Sequence, residues 1–206
     1  TVAAVASPTK NTTVNLTGSK DTDSYLYVNT TRSSALITDA TWSYTTALTE
    51  GNNSLTIYAK DEAGNQSQTV PVTVIRDTTP PLISSSTPTA TSWVTAVSTV
   101  SVALSDAYAG VDLSGSLSGA LVKNSAGASV AGSWAVVGTQ LVFTPAAAFG
   151  QDTYTVSLNP VDILGNTGTA AFSFTYDITP PTVQSVTMNP TSPHKPETVT
   201  FAIAFS

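Results

Sequence analysis

Apolar and polar residues alternate along most of this chain. Val14 and Leu16 are separated by polar neighbours, as are Trp42 and Tyr44, and Leu55 and Ile57. The rhythm returns at Val70, Val72 and Val74, at Val100, Val102 and Leu104, and at Leu141 and Phe143. Tyr154, Val156 and Leu158, then Phe172, Phe174 and Tyr176, repeat it further on. A period of two marks strands with one wet and one buried face, as in antiparallel sheets. Short strands separated by Gly, Pro and Asn turns predict an all-β protein built as sandwiches. Pro71 falls inside one such strand and removes a ladder donor, so that strand is expected at a sheet edge or with a bulge.

The chain also repeats itself. Asp77-Thr78-Thr79-Pro80-Pro81 recurs as Asp177-Ile178-Thr179-Pro180-Pro181. Ahead of the first stands Asp61-Glu62-Ala63-Gly64-Asn65, and ahead of the second Asp162-Ile163-Leu164-Gly165-Asn166. Each corner is followed by an alternating strand and then by the paired prolines. After each pair the chain restarts alike: Leu82 to Thr89 resembles Val183 to Thr191, and Val2 to Thr9 reads as a third such start. The expected modules are therefore 1–78, 79–178 and the beginning of a third at 179–206, with both ends reading as cuts in a longer array.

Local physics gives these motifs a mechanical meaning. At the corners Gly64 and Gly165 supply a positive φ, while Asp and Asn side chains cap nearby N–H groups. At the joints Pro80, Pro81, Pro180 and Pro181 fix φ and remove donors, so the segment resists bending and cannot enter a central ladder. Stiff joints between folded beads make a rod.

Composition narrows the chemistry. Of 206 residues, 41% are hydrophobic, enough for packed cores. Only 10% are charged and the net charge is −6, so nothing could line a phosphate backbone and nucleic acid is not an expected partner. There is no cysteine, which excludes disulfides, thiolate catalysis and cysteine-ligated zinc. No apolar run approaches the roughly 18 residues of a membrane span. No leader stands ahead of Thr1, so any export signal is expected outside this sequence.

Several segments resemble bacterial Ig-like domains, the immunoglobulin-fold modules of large adhesins, surface-layer proteins and multidomain secreted glycosidases. Thr41-Trp42-Ser43, Leu48 to Asn53 and Asp61 to Asn65 carry the likeness in the first module. Ser105-Asp106, Gly110-Val111-Asp112, Leu141 to Pro145 and the closing Asp162 to Asn166 carry it in the second, and Glu197 to Phe201 in the third. The resemblance implies tandem antiparallel β-sandwiches joined by short Pro-Pro linkers. It also implies an extracellular or cell-surface location and service as spacers, stalks and occasional binders.

No set of residues reads as catalytic. The one histidine, His194, lies between Pro193 and Pro196 and reads as a solvated loop residue. The glutamates Glu50, Glu62 and Glu197 sit in turns or at strand edges, without the long loops that build an acid-lined cleft. Trp42 shares a face with Tyr44 and reads as core; Trp93 and Trp134 stand among small residues, and one could be exposed. Calcium is the one cofactor to weigh, since hard cations take several carboxylate and carbonyl oxygens. Asp61 with Asp77, or Asp162 with Asp177, could converge at a junction, and Asp21 with Asp23 offers a looser set; the competing reading is that these acids cap turns.

Three roles remain: a spacer between neighbouring domains of one polypeptide, a binder of a cell-surface glycan or protein, and self-assembly by strand donation. The last rests on Val199, Phe201, Ile203 and Phe205, an apolar row that a partial module cannot bury.

Overall fold

The computed structural model describes residues 1–32, 38–189 and 199–206. His194 and Glu197 lie outside that set. The regular elements of the described chain are all strands apart from one 3-10 turn, Gly115–Leu117, and no helix in it is long and apolar enough to cross a membrane.

Six strands fill the N-terminal part: β1 (Thr13–Ser19), β2 (Ser24–Val28), β3 (Thr31–Arg32), β4 (Thr41–Ala47), β5 (Gly51–Asp61) and β6 (Val70–Arg76). They form two antiparallel sheets, β1-β4 and β3-β2-β5-β6. Pro71 pairs with Thr56 on β6, an edge strand, where its missing donor costs no ladder bond. The alternating residues meet between the sheets: Leu16, Leu26, Val28, Trp42, Leu55 and Ile57 make one buried cluster. On the outer face Tyr27 and Tyr58 stack at 4.9 Å, with the Lys60 ammonium 5.5 Å from the Tyr27 ring.

Eight strands follow: β7 (Leu82–Thr87), β8 (Trp93–Val94), β9 (Val100–Ser105), β10 (Leu121–Lys123), β11 (Gly132–Val137), β12 (Gln140–Pro145), β13 (Asp152–Leu158) and β14 (Ala170–Tyr176). Their sheets are β11-β12-β9-β7 and β10-β13-β14-β8. A second cluster fills the space between them, with Val100, Val102, Leu141, Val156, Leu158 and Phe174 almost fully buried. Phe149 stands edge-on to Tyr154 at 4.8 Å, and the Tyr154 hydroxyl donates to the Gly150 carbonyl at 2.8 Å. A buried aromatic of this kind contributes about 1.5–3 kcal/mol through area alone. Burial also pushes the Tyr154 hydroxyl pKa up.

The two sheet pairs share one wiring. β5 pairs with β2 and β6 as β13 pairs with β10 and β14. β1 lies against β4 as β9 lies against β12. Thr9 bridges Arg76 in parallel, as β8 runs parallel to the end of β14. Ser7-Pro8 and Thr87-Pro88 are both cis.

β15 (Val183–Asn189) and β16 (Thr200–Phe205) form a C-terminal hairpin. Its register slips between Val183 and Ser185, as β7 slips against β9 between Ile83 and Ser85. Val186 faces Ile203 and Met188 faces Phe201, so one side of the hairpin is apolar. It is uncovered: Phe201 is 63% and Phe205 60% exposed.

Candidate metal centre at the Asp77 junction

The two Asp-x-x-Gly-Asn corners fold alike. In the first, Asp61 N–H donates to the Asn65 carbonyl and Gly64 N–H to the Asp61 carbonyl, both at 3.1 Å. Asn65 returns two bonds to the Asp61 carboxylate, from its backbone N–H and from Nδ2, each at 2.8 Å. In the second, Asn166 N–H reaches Asp162 Oδ1 at 2.7 Å and Nδ2 reaches Oδ2 at 2.6 Å. Gly64 and Gly165 take φ of +90° and +79°, the left-handed conformation that the turn demands. Hydrogen bonds from Asn65 hold the Asp61 carboxyl below the usual carboxylate range.

The corners differ in what covers them. Asp61 and Asn65 are exposed, whereas Asp162 and Asn166 are buried. The cover is the segment between β6 and β7. Asp77 is fully buried, and its carbonyl accepts a bond of 3.1 Å from Asn166 Nδ2. Its Oδ2 accepts the Ala109 N–H at 2.9 Å, and its Oδ1 accepts the Thr79 N–H at 3.0 Å and hydroxyl at 2.8 Å. Burial pushes the Asp77 carboxyl up, but these donors outweigh it and leave it below its ordinary value. Pro81 is buried, and the Pro80 ring lies so close to Gly168 that an added Cβ there would stand 2.9 Å from it. On the other side Glu50 accepts the Thr78 N–H at 2.8 Å and pairs with Arg76 at 3.1 Å. Lys10 Nζ donates to the Gly165 carbonyl at 3.3 Å.

Asp106 completes the site. It follows β9, and its Oδ1 accepts the N–H groups of Tyr108 and Gly110, both at 3.0 Å. Bonds from Ile163 N–H to the Gly110 carbonyl and from Asp112 N–H to the Val161 carbonyl pin that loop to the corner. One carboxylate oxygen each from Asp77, Asp106 and Asp162 then lie within 4.8 Å of one another. Asp106 Oδ2 is buried with no geometric hydrogen-bond donor among the described residues, and the Asp106 carboxyl stands beside that of Asp77. Oxygen-only donors at this spacing suit a hard cation, since two ligands about 2.3–2.6 Å from calcium stand at most about 5 Å apart. These three carboxylates would supply part of the six to eight oxygens that calcium takes.

Sequence reasoning named Asp77 and Asp162 but paired each with the wrong partner. Asp61 with Asp77, and Asp162 with Asp177, do not converge. Gly51, at one end of β5, pairs with Arg76 beside Asp77, while Asp61 closes the other end. Eleven strand residues span about 35 Å, so corner and joint of one sheet pair face opposite ways. The corner of the second meets the joint of the first. Asp177 is half-buried, its Oδ1 accepting the Thr179 N–H at 2.8 Å, and Pro180 and Pro181 are exposed. Gln151 takes the place of Glu50 there, accepting from Ile178 N–H at 2.6 Å. Asp21 and Asp23 are exposed and outside the cluster. Trp42 is buried in the core, Trp134 packs against Phe143, and Trp93 is 73% exposed on β8, with no second tryptophan beside it among the described residues.

The profile of the bacterial Ig-like domain (group 3) matches residues 38–188. The chain belongs to the bacterial Ig-like domain family. No curated protein matches it. Among solved structures it is similar to the methionine-rich copper resistance protein PcoC of Escherichia coli, at 23% identity and a TM-score of 0.43, over 48% of this chain and 100% of that one. It is similar also to the titin domains z1z2 bound to telethonin, at 13% identity and a TM-score of 0.35, over 83% and 90% of the two chains. A third likeness is to the N-terminal Ig1-2 module of the Drosophila receptor protein tyrosine phosphatase DLAR, at 12% identity and a TM-score of 0.27, over 84% and 94%.

Proposed function

We propose that this Ig-like chain is a non-catalytic spacer of a cell-surface or secreted multidomain protein. Residues 1–78 and 79–178 act as successive modules, with 179–206 opening a third. The reading is supported above all by the burial of Asp77: a joint whose carboxylate and carbonyl are both bonded to the next sheet pair holds two beads at one angle. A flexible linker would leave those groups to water. Residual dipolar couplings on the whole chain test it. One alignment tensor should fit both sheet pairs, and Asp77→Ala should separate the tensors. Independent tensors in the unaltered chain would end the proposal.

A second reading adds calcium at the joint. It is supported by the three converging carboxylates and by the buried Asp106 Oδ2, which has no geometric hydrogen-bond donor among the described residues. A bound calcium would neutralise charge that the surrounding N–H groups only partly offset. Calorimetry on chelator-treated protein decides it: absence of both heat and a rise in melting temperature on adding calcium would exclude the ion.

A further inference from the structure

The joint at Asp77 has two halves, and the described structure contains a spare copy of one of them. The receiving half is the corner Asp162–Asn166 with its neighbours, buried by the joint it holds. The Asp61–Asn65 corner repeats it bond for bond yet stands exposed. Asn166 Nδ2 bonds both Asp162 and the Asp77 carbonyl; Asn65 Nδ2 bonds Asp61 and no second acceptor among the described residues. Beside this corner opens a cleft of about 780 Å³, lined by Thr1, Lys20, Trp42, Asp61, Asn65 and Gln66 among others.

Register fixes what the cleft would receive. Thr1 and Ser19 exchange backbone bonds, Thr1 N to Ser19 O at 2.6 Å and Ser19 N to Thr1 O at 3.2 Å. Leu82 lies opposite Ser105 in the same way, and Ser19 and Ser105 are the last residues of β1 and β9. Thr1 therefore holds the place of Leu82, and five residues ahead of it would hold the places of Asp77 to Pro81. Lys20 follows Ser19 as Asp106 follows Ser105; its Nζ donates to the Asp21 carbonyl at 2.7 Å, and Asp21 lines the cleft beside it. The site departs from the filled one at Ser67, which replaces Gly168 in the matching bond: Ser67 N–H to the Ala59 carbonyl, as Gly168 N–H to the Pro160 carbonyl.

We infer that the Asp61–Asn65 corner and its cleft are a socket for the Asp-x-Thr-Pro-Pro joint of another Ig-like module placed directly ahead of Thr1. The inference rests on reading the sheet pairs as successive modules. An aspartate five residues before Thr1 would offer its carbonyl to Asn65 Nδ2 and turn its carboxylate onto the threonine two residues on, as Asp77 does with Thr79.

The test extends the whole chain at Thr1 with Asp-Thr-Thr-Pro-Pro or with Ala-Thr-Thr-Pro-Pro, in chelator-containing buffer. The aspartate version should melt roughly 2–5 °C higher than the alanine version, and the Asn65 side-chain amide should shift and exchange more slowly. Asn65→Ala should destabilise both extended proteins more than it destabilises the chain that starts at Thr1, and Ser67→Gly should raise both by removing the Cβ that crowds the incoming proline. A second version grafts residues 79–181 ahead of Thr1, so that a complete module presents its own Asp177 joint. Identical melting and an unmoved Asn65 amide in both extended proteins would overturn the socket. That failure would leave the single-tensor result at Asp77 standing, so the two proposals fail separately.

Discussion

The Asn166 side chain bonds two aspartates that lie far apart in sequence. Its Nδ2 donates to Asp162 Oδ2 at 2.6 Å and to the Asp77 carbonyl at 3.1 Å, 89 residues away. The turn and the contact between the two sheet pairs thus depend on one amide. Replacing it removes both donors and leaves a buried carboxylate and carbonyl with fewer partners.

Asn166→Ala should therefore cost about 1–3 kcal/mol. Asn65→Ala, in the same local turn but exposed, should cost well under about 1 kcal/mol. Urea unfolding of the two variants, followed by tryptophan emission, measures the contrast. Equal costs would mean that the Asp77 contact adds nothing to the turn.

Acid should weaken the joint in a definite direction. Asp77 is held below its ordinary value when folded, with an unfolded reference near 3.9. Its contribution is present above about pH 4 and is lost as pH falls through the lower folded value. Asp77→Asn should reduce the slope of stability against pH in that range. An unchanged slope would count against the carboxylate's part in the joint.

Calcium dependence, if the second reading holds, should map to Asp106. Asp106→Asn should abolish the calcium-induced rise in melting temperature, while Asp61→Asn should leave it intact. The decisive measurement is paired thermal melts with chelator and with calcium. A rise that survives Asp106→Asn would place the ion elsewhere.

Gly168→Ala tests packing at the joint. The new methyl would stand 2.9 Å from one Pro80 carbon and 3.0 Å from another, and a proline ring has little freedom to yield. A cost of about 1–3 kcal/mol is expected from overcrowding. Thermal melts of Gly168→Ala beside Gly150→Ala, where the nearest atom is 4.0 Å away, isolate the effect.

If residues 179–206 act by strand donation, the uncovered apolar side of β15-β16 should drive association of this chain. Phe201→Thr with Phe205→Thr should lower any concentration-dependent mass seen by sedimentation. An unaltered chain that stays monomeric at high concentration would count against strand donation.

Much of this fold was legible in the alternation. Leu16, Trp42, Ile57, Val102, Leu141 and Phe174 were each assigned inward by period alone, and each is buried. The positive φ of Gly64 and Gly165 followed from turn chemistry. The convergence of the three carboxylates did not follow, for two reasons. Asp106 comes from a loop with no matching acid at Lys20, so the internal repeat gave no signal for it. The crossed pairing of Asp77 with Asp162 required the length of β5, which sets corner and joint of one sheet pair at opposite ends.

The parallel contact at each carboxyl end governs behaviour under pulling. Thr9 N–H donates to the Ile75 carbonyl and Asp77 N–H to the Thr9 carbonyl, both at 2.9 Å; Asp177 N–H donates to the Val94 carbonyl at 3.0 Å. In each sheet pair an early segment and the last strand thus run side by side in the same direction. Tension applied through the two termini loads these bonds in shear, so they must fail together instead of unzipping singly. A tether made of such beads would stay short under modest load and lengthen in discrete jumps.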